Sequence, residues 1–304
     1  MSVDALSNTP EQAQATLSYH GKSFRFAQWF LDKRTACDAA RLYQFCRILD
    51  DVVDESETHE AREAYAKIQQ DIAAQHSDMP WLQDYFALKH EYQLSTQVTN
   101  DLIDTIYSDL SDVRVQSQAQ LINYCYGVAG TVGCLMRPIL KAPKAAEPFA
   151  IDLGIAMQLT NIARDVLTDA QNHRCYLPAD WIDFMGPDDI IGATGEKRKL
   201  VQKAIERLLL LAESYYESAS HGIKIIPARN RRAIGVAMFV YREIGMVLND
   251  RQCDYQKGRV YVPLWRKCTL ALRAVWRFRE QLAWSLPRHD NSLHQAIEGK
   301  VAKI

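Results

Sequence analysis

The stretch Tyr43-Gln44-Phe45-Cys46-Arg47-Ile48-Leu49-Asp50-Asp51-Val52-Val53-Asp54-Glu55 decides the fold. At about 100° per residue, Tyr43, Arg47, Asp50 and Asp54 fall within an arc of roughly 60°, with Asp51 on its flank. The rest of the stretch, with Leu42 before it, is strongly apolar. A helix with that much apolar surface is predicted to be largely buried. Its carboxylates then face a polar cavity or hold cations, because a buried unpaired charge is costly. The competing reading is a solvated acidic face, where aspartates at i and i+4 repel only weakly.

A second stretch, from Asp152 to Asp169, shifts that balance. Gln158, Asn161, Asp165 and Asp169 fit an arc of about 80° at the same period, and the residues between them are again mostly apolar. Two apolar helices that each carry carboxylates at i and i+4 suggest opposed walls of one cavity. Carboxylates that face each other repel unless cations sit between them, and hard divalent ions with oxygen ligands meet that need. Magnesium is commonly shared between one or two carboxylates and substrate phosphates. The pattern therefore points to a diphosphate bridged through Mg²⁺, with Arg47 and Arg164 able to bond phosphate oxygens directly. Histidines and cysteines show no ligand spacing for zinc.

Working outward, periodic apolar stretches near 22–54, 60–75, 81–95, 97–111, 117–140, 147–170, 197–218, 229–251 and 263–286 predict helices. No alternating strand run and no hairpin dipeptide stands out. Loops are predicted around 76–80, 141–147, 171–196 and 221–228. No linker or repeat divides the 304 residues, so the reading is one all-α domain over 1–304, with 1–18 expected to be poorly ordered or peripheral to it. The formal net charge of −1 gives no general grip on nucleic acid or an anionic membrane. Seven cysteines without a CxxC pair read as reduced thiols. The polar amino end has no signal-peptide pattern, and no apolar run reaches membrane-spanning length, so a soluble cytoplasmic protein is expected. The basic, aromatic tail after 263 is read as a final helix with its polar face outward; peripheral contact with a membrane is the other reading.

Several phosphate-handling signatures are missing. There is no nucleotide-binding P-loop, no dinucleotide glycine fingerprint and no nucleophile elbow. Gly127, Gly130 and Gly133 recur every third residue inside a helical stretch, which fits close helix packing.

These motifs resemble the head-to-head trans-isoprenyl diphosphate synthases, the squalene/phytoene synthase family. The resemblance runs from His20 to Lys267. It rests on His20-Gly21-Lys22-Ser23-Phe24, on Tyr43 to Asp54, on Tyr124 to Gly133, on Gln158 to Asp169, and on Arg174-Cys175-Tyr176-Leu177-Pro178. The second acidic motif is neither a DDxxD nor the triad of terpene cyclases, which sets the chain apart from head-to-tail elongases and class I cyclases.

The resemblance implies an isoprenoid synthase fold around a central apolar cavity. Asp50, Asp54, Asp165 and Asp169 would hold about three Mg²⁺ ions, with Mn²⁺ as a substitute. It further implies that His20, Ser23, Arg47, Arg164, Tyr241 and Arg259 contact phosphates, with Lys267 a further candidate whose alternative is a solvated lysine. Phe24, Tyr124, Gln158 and Asn161 complete the substrate-binding set. Tyr43 and Tyr124 would orient the reacting carbons, their alternative being core packing. The glycine run would offer a smooth wall to a prenyl chain.

The implied reaction ionises one allylic prenyl diphosphate, forms a cyclopropylcarbinyl diphosphate with the second, then ionises and rearranges it with loss of a proton. The proton acceptor stays open among Tyr124, released diphosphate and Asn161 with a water. The run from Arg174 to Trp181 looks closest to bacterial phytoene synthases, which use two geranylgeranyl diphosphates. The run from Tyr124 to Gly133 is equally like enzymes that make dehydrosqualene from two farnesyl diphosphates. A squalene outcome would need NADPH, for which no nucleotide fingerprint exists. Phe26, Gln28, Val128 and Leu135 are expected to set cavity depth. A non-catalytic prenyl- or partner-binding relative is the alternative of another class, although such relatives typically lose the motif aspartates.

Overall fold

The computed structural model describes residues 26–55, 58–111, 113–279 and 287–300. Its elements, in chain order, are α1 (Lys33–Glu55), α2 (Thr58–Ala74), α3 (Pro80–Tyr92), α4 (Thr96–Ser108), α5 (Gln118–Cys125), a π-turn (Tyr126–Gly130), α6 (Thr131–Ile139), α7 (Glu147–Gln171), α8 (Pro187–Ile191), α9 (Gly195–Ile223), α10 (Ala228–Asp250) and α11 (Leu264–Arg277). Among the described residues there is no strand, only one isolated parallel bridge between Arg114 and Cys175. No described helix is long and apolar enough to cross a membrane.

Local chemistry sets several helix ends. The Ser95 and Ser117 hydroxyls accept from the backbone N–H groups of Val98 and Gln120, capping α4 and α5. Pro80 opens α3, where its missing N–H costs nothing. α7 stops at Asn172 and His173; His173 adopts a left-handed conformation (φ 59°), and the Arg174 N–H returns to the Asp169 carbonyl at 2.9 Å.

Two apolar clusters make the core. One gathers Leu42, Phe45 and Leu49 of α1 with residues of α3, α4 and α6, including Tyr85, Leu102 and Ile139. The other is built on α7, whose Ile155, Leu159, Ile162 and Val166 pack among residues of α5, α9 and α10. α7 lies most extensively against α9 and also touches α6, α8 and α10. Its approach to the preceding helix is at backbone contact. A Cβ on Gly133 would meet the Ala150 carbonyl oxygen at 2.2 Å, and one on Gly154 would meet that of Ala129 at 2.2 Å. The glycine spacing thus serves close packing.

The structure redraws some predicted boundaries. The stretch 117–140 is interrupted by the π-turn, where one extra residue per turn re-aims the helix just after Tyr124. The predicted loop 171–196 contains α8, and α9 runs on to Ile223. α11 buries the narrow stripe Leu270, Ala271 and Ala274, and its exposed side is mixed, with Leu264, Trp265, Leu272 and Trp276 beside Thr269, Arg273 and Arg277.

Candidate active site

α1 and α7 bring their acidic faces together. Asp50 and Asp54 from α1 and Asp165 and Asp169 from α7 line one pocket of about 160 Å³, and Asp109, at the carboxyl end of α4, joins them. Five carboxylates therefore share this small space. Burial pushes the Asp50 carboxyl up to about 7, Arg47 opposing and Asp54 reinforcing the shift. Burial, then the charge of Asp165, pushes Asp169 up to about 8. Burial also raises Asp109, against the lowering effect of hydrogen bonds from Tyr124 and Tyr176. These shifts share one physical origin: charge packed where water is scarce and like charges are near.

Basic groups ring the pocket. Arg174 Nη1 donates to Asp54 Oδ1 at 2.8 Å. Asp165 is held from two sides: by Arg164, whose Nε donates to Oδ1 at 2.9 Å, and by Arg259, whose Nη2 donates to Oδ2 at 3.1 Å. Arg47 pairs with Asp51 on the flank of α1, and its Nε is buried without a hydrogen-bond partner. Tyr124 and Tyr176 both donate to Asp109 Oδ2, at 2.7 and 2.9 Å, with their rings 4.8 Å apart. Arg174 and Tyr176 reach this position because backbone bonds between Cys175 and residues Val113 and Val115 tie their loop to the chain beyond α4.

A second, apolar cavity of about 320 Å³ adjoins the first. Asp50, Gln158 and Asn161 line both, so the acidic pocket opens into an apolar one through their side chains. The lining follows one face of α7, from Asn161 through Met157 and Leu153 to Phe149, a run of about 18 Å at helical rise. Val128, Val132 and Met136 face it from the π-turn and α6. Tyr43 and Tyr241 also line it. Burial pushes the Tyr241 hydroxyl up to about 12 and raises that of Tyr43 further, so both remain protonated. At the junction Asn161 Nδ2 donates to Gln158 Oε1 at 3.2 Å, while Asn161 Oδ1 is buried with no hydrogen-bond partner.

The residues singled out from sequence fall into four groups. Asp50, Asp54, Asp165, Asp169, Tyr124, Gln158 and Asn161 line the acidic pocket. Tyr43 and Tyr241 line the apolar cavity instead. Arg47, Arg164 and Arg259 pair with aspartates of the two acidic helices, and Lys267, in the first turn of α11, lines neither compartment. His20, Ser23 and Phe24 lie outside the described residues. Of the side chains expected to set cavity depth, Gln28 and Val128 line the cavity, whereas Phe26 and Leu135 are packed into the two core clusters. Sequence reasoning missed Asp109 as a fifth acid. It stands alone at a helix end, with no periodic partner to flag it. Arg174 and Tyr176 carried a signal, since they belong to the Arg174–Pro178 motif.

Comparison with known proteins agrees with this architecture. The family described as squalene/phytoene synthase matches residues 17–266. A phytoene synthase from Pseudescherichia vulneris is 34% identical over 270 residues, covering 82% of this chain and 87% of its own. A 15-cis-phytoene synthase from Pantoea ananas is 33% identical, covering 86% and 89% respectively. Among solved structures, a dehydrosqualene synthase in complex with ligand superposes with a TM-score of 0.78 at 25% identity, over 87% of this chain and 94% of that one. The chain belongs to the squalene/phytoene synthase family, whose members are prenyl-transferring synthases.

Proposed function

We propose that the protein joins two allylic prenyl diphosphates head to head, two geranylgeranyl diphosphates giving phytoene through a cyclopropylcarbinyl diphosphate. The observation that carries this reading is a pocket of five carboxylates opening, through Asp50, Gln158 and Asn161, into an apolar cavity along α7. A diphosphate head and a hydrocarbon tail need those two environments side by side. The C20 substrate is favoured by the phytoene synthases that the chain resembles over most of its length. The similarity to a dehydrosqualene synthase structure favours two farnesyl diphosphates as the second reading.

The donor set fits Mg²⁺. It consists of oxygens alone, the acids gather without enough arginine to neutralise them, and Asn161 Oδ1 is a buried acceptor without a partner. Asp50, Asp54, Asp165 and Asp169 would hold the ions, which when bound supply positive charge against diphosphate leaving groups. The protein's own groups do the rest. Arg174, Arg164 and Arg259 can exchange their aspartate partners for phosphate oxygens, and the orphaned Arg47 Nε is a further donor. The apolar wall excludes water from a carbocation, while the protonated hydroxyls of Tyr43 and Tyr241 offer dipoles but no nucleophile. Tyr124 lines the acidic pocket, held by its hydroxyl's hydrogen bond to Asp109.

Incubating the purified chain with Mg²⁺ and either farnesyl or geranylgeranyl diphosphate, then identifying the extracted hydrocarbon, tests the proposal. A C40 triene core from the C20 substrate is the expected result. A C30 hydrocarbon from the C15 substrate alone would select the second reading, and no hydrocarbon from either would reject both.

A further inference from the structure

Far from the acidic pocket, near the amino end of α7, Asp152 is completely buried. His289 Nε2 lies 2.9 Å from its Oδ2, and His294 Nε2 lies 2.7 Å from its Oδ1. Both histidines come from the segment 287–300, which closes over α5, α7 and α9. Elsewhere this segment is held by Tyr215, whose hydroxyl donates to the Leu293 carbonyl at 2.7 Å, and by Asn123, whose Nδ2 donates to the Ala296 carbonyl. The side chains of His289 and His294 are themselves nearly buried, 8% and 11% exposed.

From this geometry we infer a second cation site, for a borderline transition ion such as Zn²⁺, formed by Asp152, His289 and His294. One ligand atom from each residue lies within 4.8 Å of the others, so a single ion can reach all three. Two imidazoles and one carboxylate suit Zn²⁺, whereas the all-oxygen acidic pocket suits Mg²⁺. The supporting contacts are in place. Ser218 Oγ donates to Asp152 Oδ2 at 2.5 Å, and His289 Nδ1 lies 3.1 Å from Asn291 Oδ1. A metal-bound imidazole carries its proton on the nitrogen away from the ion, and Asn291 Oδ1 is positioned to accept that proton's hydrogen bond. On binding, Nε2 of each histidine exchanges its hydrogen bond to Asp152 for the metal. The proton moves to Nδ1 or is released, and the carboxylate supplies an oxygen to the ion.

The site has a structural consequence. His289 stacks edge-on against Phe149, ring centroids 5.3 Å apart, and Phe149 lines the apolar cavity. The ion would therefore fix the carboxy-terminal segment behind one wall of that cavity.

The test is a Zn²⁺ titration of the metal-stripped full chain in excess Mg²⁺ and diphosphate, which occupy the acidic pocket, read by competition with a chromogenic chelator. Expected is one Zn²⁺ per chain, with a higher melting temperature. Asn291→Ala, which removes only a supporting contact, should weaken binding by about 10- to 100-fold. His294→Gln should weaken it more, and Asp50→Asn should leave it unchanged. Zinc-edge absorption of the wild-type complex should show imidazole ligands, an outcome independent of whether the variants fold. Failure of wild type to bind Zn²⁺, or binding that survives His294→Gln intact, would overturn the site and leave Asp152 as a hydrogen-bonded strut.

Discussion

The two ends of α7 treat buried carboxylates in opposite ways. At one end, Asp152 stands alone among donors, its oxygens met by Ser218, His289 and His294. About 20 Å along the same helix, at 1.5 Å per residue, Asp165 and Asp169 look across at Asp50, Asp54 and Asp109. The first arrangement satisfies its charge within the protein. The second stores electrostatic repulsion that a cation or a positively charged ligand relieves. What distinguishes the two is a single acid met by donors on both oxygens at one end, against five acids gathered in one pocket at the other.

The sharpest way to break this contrast is to neutralise one acid at each end. Asp50→Asn or Asp165→Asn should lower hydrocarbon formation by at least about 100-fold, since on the proposed function each removes a carboxylate that would hold the cations facing the leaving diphosphate. The unfolding midpoint of Asp50→Asn should hold or rise, because a repulsive neighbour is gone, whereas Asp165→Asn also strips Arg164 and Arg259 of their partner. Asp152→Asn should do the reverse: a loss of about 3 kcal/mol in denaturant unfolding, as a buried charge partner disappears, with turnover per folded molecule retained. Equal stability losses at both ends would erase the distinction.

Proton linkage sharpens it further. Asp50 and Asp169 bind protons more tightly in the folded chain than in the unfolded one, with values raised from 3.8 to about 7 and about 8. Their contribution to stability is therefore fully present at acid pH below the unfolded value and is lost as pH rises through 7 to 8. The metal-free protein should lose melting temperature over that window, and the increase produced by Mg²⁺ should be larger above pH 8 than below pH 7. An Mg²⁺ effect independent of pH would contradict the placement of these acids. The smallest expected effect concerns Asp109. Tyr176→Phe removes one of its two tyrosine donors and should cost about 1 kcal/mol, with Tyr124 keeping the carboxylate in place.

Much of this was legible in the sequence. The helical period placed Asp50 with Asp54 and Asp165 with Asp169 on single faces, and the apolar residues around them announced burial. What the period does not carry is contact between distant segments. Asp109 joins the pocket only because α4 ends there, and His289 and His294 meet Asp152 only because the chain returns across α7. The π-turn was hidden because its residues keep a helical pattern while the backbone gains a residue per turn. The large apolar residues on the outer side of α11, beside its exposed arginines, were not singled out because small residues, Ala271 and Ala274, mark the buried side.

The most direct test of the acidic pocket is Mn²⁺ binding, followed by electron paramagnetic resonance in the presence of a non-ionisable prenyl thiodiphosphate. Wild type should bind more than one Mn²⁺ per chain, in a spin-coupled cluster, and both Asp50→Asn and Asp165→Asn should abolish the coupling. Uncoupled Mn²⁺, or a signal identical in wild type and both variants, would contradict the joint action of α1 and α7.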